Sequence, residues 1–190
     1  MSDVVYRYYK PKKIVEVGCG KTTRIAAKAC LKNGRQHPCK LVGIEPYPSP
    51  EISKGFTGFS RLIQKEVQHV ELKEFTDCDI LFIDSSHVVK AGSDVVTEIL
   101  EILPRLKKGT LVHFHDIFMP KEYIRWFPDH RLFFTEQYLF QAFLMYNNSF
   151  RVFWASNYMM INQKKRLETL FEKHMQQDYP VSSFWIQRVA

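Results

Sequence analysis

The amino-acid sequence predicts an α/β protein built on a mainly parallel sheet with helices on both faces. Three observations carry that expectation. Short, nearly uniform apolar runs such as "KIVEVG", "DILFIDSSH" and "TLVHFHDIF" alternate with helical patterns, and strands buried on both faces and separated by helices mark a parallel sheet. The first apolar run passes into a turn with two glycines, Gly18 and Gly20, directly before a helix. Several strands end on an acid, among them Glu45, Asp84 and Asp116.

In chain order, "KIVEVG" reads as the first strand and "TTRIAAKACLKNG" as a helix closed by Gly34. "KLVGIEP" is the second strand, ending at an acid and a proline. Between Pro46 and Asp79 the pattern is weaker, with a helix and one further strand expected near "EVQHV". "DILFIDSSH" is the next strand. It is followed by a helix over "SDVVTEILEILPRLKKG", with Val95, Ile99, Ile102 and Leu106 on one face, Ser93 as N-cap and Gly109 past its end. Strand "TLVHFHDIF", helix "TEQYLFQAFLMYN", strand "FRVFWAS", helix "KKRLETLFEKHM" and a last strand "SFWIQRV" complete the series. A chain of 190 residues without a change of composition is expected to form one domain over 1–190.

With 45% hydrophobic and 25% charged residues, wholesale disorder is excluded. No apolar run approaches the roughly 20 residues that span a bilayer, and the start "MSDVVYRYYKPKK" lacks a signal peptide's apolar stretch, so a cytoplasmic protein without a membrane partner is expected. Cys19, Cys30, Cys39 and Cys78 show neither a CxxC pair nor finger spacing and read as free thiols. The net charge of +7 suits anionic ligands, but its lysines and arginines are scattered, so no nucleic-acid partner is expected.

In doubly wound sheets a glycine turn after the first strand lets the backbone approach a ligand beside the next helix N-terminus. Thr23 stands where a dinucleotide fingerprint would have its third glycine, which argues against a dehydrogenase. Glu16, on the strand itself, would be a poor neighbour for a diphosphate and suits a cationic amino-acid moiety instead. Glu45 ends the second strand, where an acid meets ribose hydroxyls in nucleotide-binding sheets. Gly18 and Gly20 read alone make only a tight turn, and Glu45 alone only a solvated strand end. Their agreement on one sheet edge favours a ligand.

The blocks "VEVGCGKTT", "GIEP", "ILFIDSSHVVKAGSD", "LPRLKKGTLVHFHDIFMP" and "EQYLFQAF" resemble the class I S-adenosylmethionine-dependent methyltransferases, and more narrowly the branch of macrocin and catechol O-methyltransferases. The resemblance implies a three-layer Rossmann-like methyltransferase fold whose last strand, "SFWIQR", is antiparallel. It implies that the glycine turn, with Gly18 and Gly20, holds the methionine part of S-adenosylmethionine and that Glu45 holds the ribose. Glu16, from its place before the turn, and Ser85, a loop residue or cap after the third strong strand, are counted with them as cofactor-binding candidates. Only about a dozen residues precede Ile14 where family members usually carry more helix for a lid or an oligomer contact, so substrate enclosure and a homo-oligomer stay open.

In the implied sheet the strands ending at Asp84 and Asp116 are neighbours about 4.8 Å apart, so their carboxylates can converge on one ion. By resemblance Asp84 and Asp116 are metal ligands, with His115 where the family more often has a carboxylate; imidazole shifts the preference from magnesium toward manganese, iron or zinc. His113 and His115 share a strand face that Asp116 leaves, unless the chain has already turned. His87, in the loop after Asp84, is the candidate general base, and Asp84 is counted with it as catalytic. The reading that follows is an S-adenosylmethionine-dependent methyltransferase acting on a hydroxyl of a small molecule, with Mg or Mn assisting. Its rivals are a non-catalytic binding module and a metal-dependent hydroxylase-like relative.

Overall fold

A computed structural model describes residues 2–171 and 181–190. Seven strands form one sheet in the order β3-β2-β1-β4-β5-β7-β6. These are β1 (Lys13–Val17), β2 (Lys40–Ile44), β3 (Arg61–Ile63), β4 (Ile80–Ile83), β5 (Leu111–Phe114), β6 (Phe150–Ala155) and β7 (Phe184–Arg188). The strands from β3 to β5 are parallel, and β7 runs antiparallel between β5 and β6. The fold is therefore the Rossmann-like α/β fold that the sequence implies, with its antiparallel last strand.

Alternate residues of each strand serve opposite layers. Val15, Val17, Leu81, Ile83, Val112 and Phe114 pack with Val95, Ile99 and Phe140 on one face. Ile14, Leu41, Ile80, Phe82 and Trp185 pack on the other with Val5 and Tyr6 of α1 (Ser2–Tyr9) and with the alanines of α2 (Lys21–Lys32). Helix α1 carries no signal in the expectation above; it forms because Val5 and Tyr6 find α2 to cover them.

The weak segment resolves differently from the expectation. It holds α3 (Pro50–Ser53), the short strand β3 at "RLI" rather than at "EVQHV", a 3₁₀ turn over Val67–His69, and α4 (Lys73–Thr76). After β4, α5 (Asp94–Thr97) is capped by the Ser93 hydroxyl, as expected, but continues as a π-helix over Glu98–Ile102 and a 3₁₀ turn over Leu103–Arg105. Two short helices, α6 (Trp126–Asp129) and α8 (Ser156–Asn162), flank the expected α7 (Glu136–Leu144) and β6. Helix α9 (Lys164–Phe171) matches the start of the expected terminal helix, whose end at 172–175 lies outside the described residues.

Candidate active site

Because β1, β2, β4 and β5 are parallel, their carboxyl ends deliver Val17, Ile44, Ile83 and Phe114 to one edge. There a cleft of about 550 Å³ opens, walled by Gly18, Glu45, Glu66, Gln68, Asp84 and Ser85 among others. Four of the residues singled out in the sequence thus share one wall. Gly20 stands just outside it with open space over its α-carbon.

Glu45 is fixed by its neighbours. One carboxylate oxygen accepts the Cys19 N–H of the glycine turn at 3.1 Å and the other accepts the Tyr47 N–H at 2.9 Å. Glu16 lies beneath the turn rather than in the wall, 1% exposed. Its Oε1 accepts the Thr22 hydroxyl at 2.5 Å, while Oε2 has no partner among the described residues. Burial pushes its carboxyl up to about 8, against the pull of Thr22 and Thr23. Ser85 donates to the buried Glu98 at 3.0 Å, so its hydroxyl is already engaged inward.

A second cluster begins at Asp84. The turn after β5 puts Asp116 at φ +53, which brings its carboxylate back beside His115 instead of away from it. His115 Nδ1 stands 3.1 Å from Asp116 Oδ1 and 3.7 Å from Asp84 Oδ1, yet it is buried and directed into no hydrogen bond. Its contact with the Asp116 carboxylate, helped by the charge of Asp84, raises the His115 pKa above the ordinary histidine value against the pull of burial. Burial raises the Asp116 carboxyl, but His115 and the Ser182 hydroxyl, donating at 2.9 Å, outweigh it and hold it low. His113 is a core residue. It is stacked on Phe82, it meets Ser183 at 2.9 Å, and burial depresses its pKa.

His87 does not have the surroundings of a free base. Its Nδ1 meets the fully buried Glu136 at 2.8 Å and its Nε2 meets Asp84 at 3.3 Å. Burial alone would lower its pKa, but the two carboxylates raise it to about 10. Burial also pushes Glu136 up, opposing the pairing; because the ring faces two acids, we read the contact as imidazolium with carboxylate. Both ring nitrogens face carboxylates, an arrangement that weighs against the expected general-base role.

Two carboxylates and an imidazole are donor types that a divalent ion accepts. Among the described residues, however, no group of three or more His, Cys, Asp or Glu side chains is placed to hold a metal ion. Sequence reasoning missed Gln68, Glu98 and Glu136: the two acids stand in helical patterns like ordinary surface acids, and Gln68 lies in the segment where the strand is expected at "EVQHV".

The sequence profile described as "Methyltransferase domain" matches residues 15–117, from β1 to just past Asp116. The chain belongs to the methyltransferase domain family. Its sheet is that of the class I S-adenosylmethionine-dependent enzymes, whose cofactor is S-adenosylmethionine. No curated protein sequence matches this methyltransferase domain. Among solved structures, it resembles a Podospora anserina methyltransferase bound to S-adenosylhomocysteine (SAH), with 15% identity, TM-score 0.55, and coverage of 99% of this chain and 76% of that one. The plantazolicin methyltransferase BpumL, solved with SAH and a monoazolic desmethylplantazolicin analogue, gives 12% identity, TM-score 0.59, and coverage of 100% and 82%. The MycE methyltransferase of mycinamycin biosynthesis, solved with Mg, SAH and mycinamycin VI, gives 14% identity, TM-score 0.55, and coverage of 99% and 48%. Such identities speak to fold. Among the described residues no helix is long and apolar enough to cross a membrane.

Proposed function

We propose that this methyltransferase domain methylates a hydroxyl group of a small molecule, with a divalent ion assisting at Asp84, His115 and Asp116. The observation that supports this reading is the adjacency of two sites through one residue: Asp84 lines the 550 Å³ cleft and also touches the His115–Asp116 cluster. S-Adenosylmethionine, when bound, supplies a methyl group on a sulfonium centre, and a divalent ion supplies acidification of a coordinated hydroxyl.

The chain's own residues divide the remaining work. Glu45 presents its carboxylate to the ribose hydroxyls; each oxygen spends one lone pair on a backbone N–H and keeps another. Gln68, whose Oε1 is buried without a partner among the described residues, offers an acceptor to an amino group on the base. Glu16 offers its free oxygen, through backbone or water, toward the cationic amino-acid end. His87, braced by Glu136, holds Asp84 in place, which makes it a positioning residue. Complexes of the plantazolicin and mycinamycin enzymes with a desmethylplantazolicin analogue and with mycinamycin VI support this reading.

Calorimetry with SAH tests the cofactor half. Binding is expected, and Glu45→Ala should cost at least about 1 kcal/mol, the scale of one hydrogen bond to a charged group. Unchanged affinity would move the ribose elsewhere. Mn²⁺ titration tests the metal half. Asp116→Asn, outside the cleft wall, should weaken Mn²⁺ by at least about tenfold, as loss of a charged ligand implies, while SAH affinity holds. No Mn²⁺ binding by the native protein, with or without SAH, would remove the ion from the reading.

A further inference from the structure

The opposite, amino edge of the sheet carries a feature that methyl transfer does not use. Arg7 and Tyr8 on α1, Lys10 and Lys12 before β1, Lys32 at the end of α2 and Lys108 before β5 are all exposed there. They are separated by up to a hundred residues in sequence, and parallel topology gathers them because it places the starts of the parallel strands and the α2 C-terminus on one edge. Two cavities open among them, of about 550 and 400 Å³, and Lys10 lines both. The first adds Tyr9, Lys12, Lys107 and Lys108, the second Arg7, Tyr8 and Lys32.

Local acids do not neutralise this face. Asp77 is paired with Lys13, and Asp79 with Lys107 and with the backbone N–H groups of residues 12 and 13. Arg7, Lys10, Lys12, Lys32 and Lys108 have no salt-bridge partner among the described residues. Lys32 also suits a helix C-terminus, which is reason enough for one lysine but not for five cations. Beside them Tyr8 is 80% exposed and Tyr9 40% exposed. Tyr8 meets Tyr9 edge-on with ring centroids 5.4 Å apart, so the two rings form one exposed aromatic surface beside the cations.

We propose that this edge binds single-stranded nucleic acid, its cations meeting phosphates and Tyr8 stacking on a base. Cationic grooves that follow a backbone and carry exposed aromatic rings are how single strands are held without sequence readout. An acidic peptide would satisfy the charges but leave the rings unused. The proposal departs from the expectation drawn from scattered charge: the charges are dispersed in sequence and adjacent in space, and "YRYYKPKK" supplies the interleaved rings.

Fluorescence anisotropy with a labelled oligouridine of about 15 nucleotides tests the proposal. Engagement of about four phosphates gives a salt slope near −3, so affinity should fall about 50-fold between 50 and 200 mM salt. Lys10→Ala/Lys12→Ala/Lys108→Ala should weaken binding at least tenfold and flatten that slope. Tyr8→Ala should weaken it about tenfold and leave the slope intact, as stacking rather than charge predicts. Lys165→Ala/Arg166→Ala, on α9, should change nothing. These positions are exposed, and circular dichroism checks that each variant is folded. Absence of saturable binding at 50 mM salt overturns the proposal, as does wild-type affinity in Tyr8→Ala. Competition by polyglutamate as effective as by unlabelled oligouridine also overturns it, and would assign the face to acidic protein.

Discussion

Glu16 is an acid held where an acid is costly. It sits on a central strand, with Thr22 as its hydrogen-bond donor and one oxygen unpartnered. Its folded pKa of about 8 lies above the ordinary value of 4.5. Between those values the folded chain keeps a proton that the unfolded chain has released, so stability falls as pH rises through that window and is level above it. Glu16→Gln removes the titration. Thermal melts of the unliganded protein should therefore show little gain near pH 4.5, a gain that grows toward pH 8, and a plateau beyond, of the order of a few kcal/mol. The same substitution should weaken SAH binding. A gain independent of pH would mean that the carboxyl is not buried as described. Glu16 was legible in the sequence because an acid is conspicuous in an apolar run. Glu98 and Gln68 were not, since their surroundings are set by elements distant in the chain: Ser85 reaches Glu98 from the far end of β4, and Gln68 enters the wall only through the turn after β3.

At the scale of elements, the glycine turn is stitched to both neighbouring strands. Gly18 N–H donates to Ile44 at 3.0 Å, and Asp84 N–H donates to Val17 at 3.0 Å. A β-carbon at Gly18, where φ is +82, would stand 1.8 Å from the Asp84 carbonyl oxygen. The missing side chain is required by β4 itself, not only by a ligand, which revises the sequence-based reason for this glycine. Chemical denaturation of Gly18→Ala should show a loss of about 3 kcal/mol or more, the range of backbone strain combined with overpacking. Gly20→Ala, with nothing within 4 Å of its added carbon, should stay within about 1 kcal/mol, as for a helix cap. Equal stability of the two variants would contradict the packing. The strands β1, β2, β4 and β5 were legible because burial on both faces writes an apolar run. Strand β3 was not, because at the sheet edge only three residues pair and Arg61 among them is exposed. The helix after Ser93 was legible in its cap and apolar face, but the π-turn that carries Glu98 leaves no mark in hydrophobic spacing.

For the whole molecule, the sheet separates two kinds of surface: acids and imidazoles at the carboxyl edge, lysines and tyrosines at the amino edge. Topology imposes that division, and composition alone could not show it. The same topology bears on the order of assembly. Strand β7 lies between β5 and β6 although it follows both in the chain, so during synthesis β6 has no sheet partner until residues 184–188 emerge. Pairing Leu111 with Gln187 closes a loop of most of the chain's second half, a slow kind of contact because its entropy is lost before its bonds form. The residues just ahead of β7 then brace the Asp116 turn, through the Ser182 hydroxyl to the carboxylate and the Ser182 carbonyl to the Ile117 N–H. The strands that wall the cleft, β1, β2 and β4, are thus all made before the residues that brace the Asp116 turn.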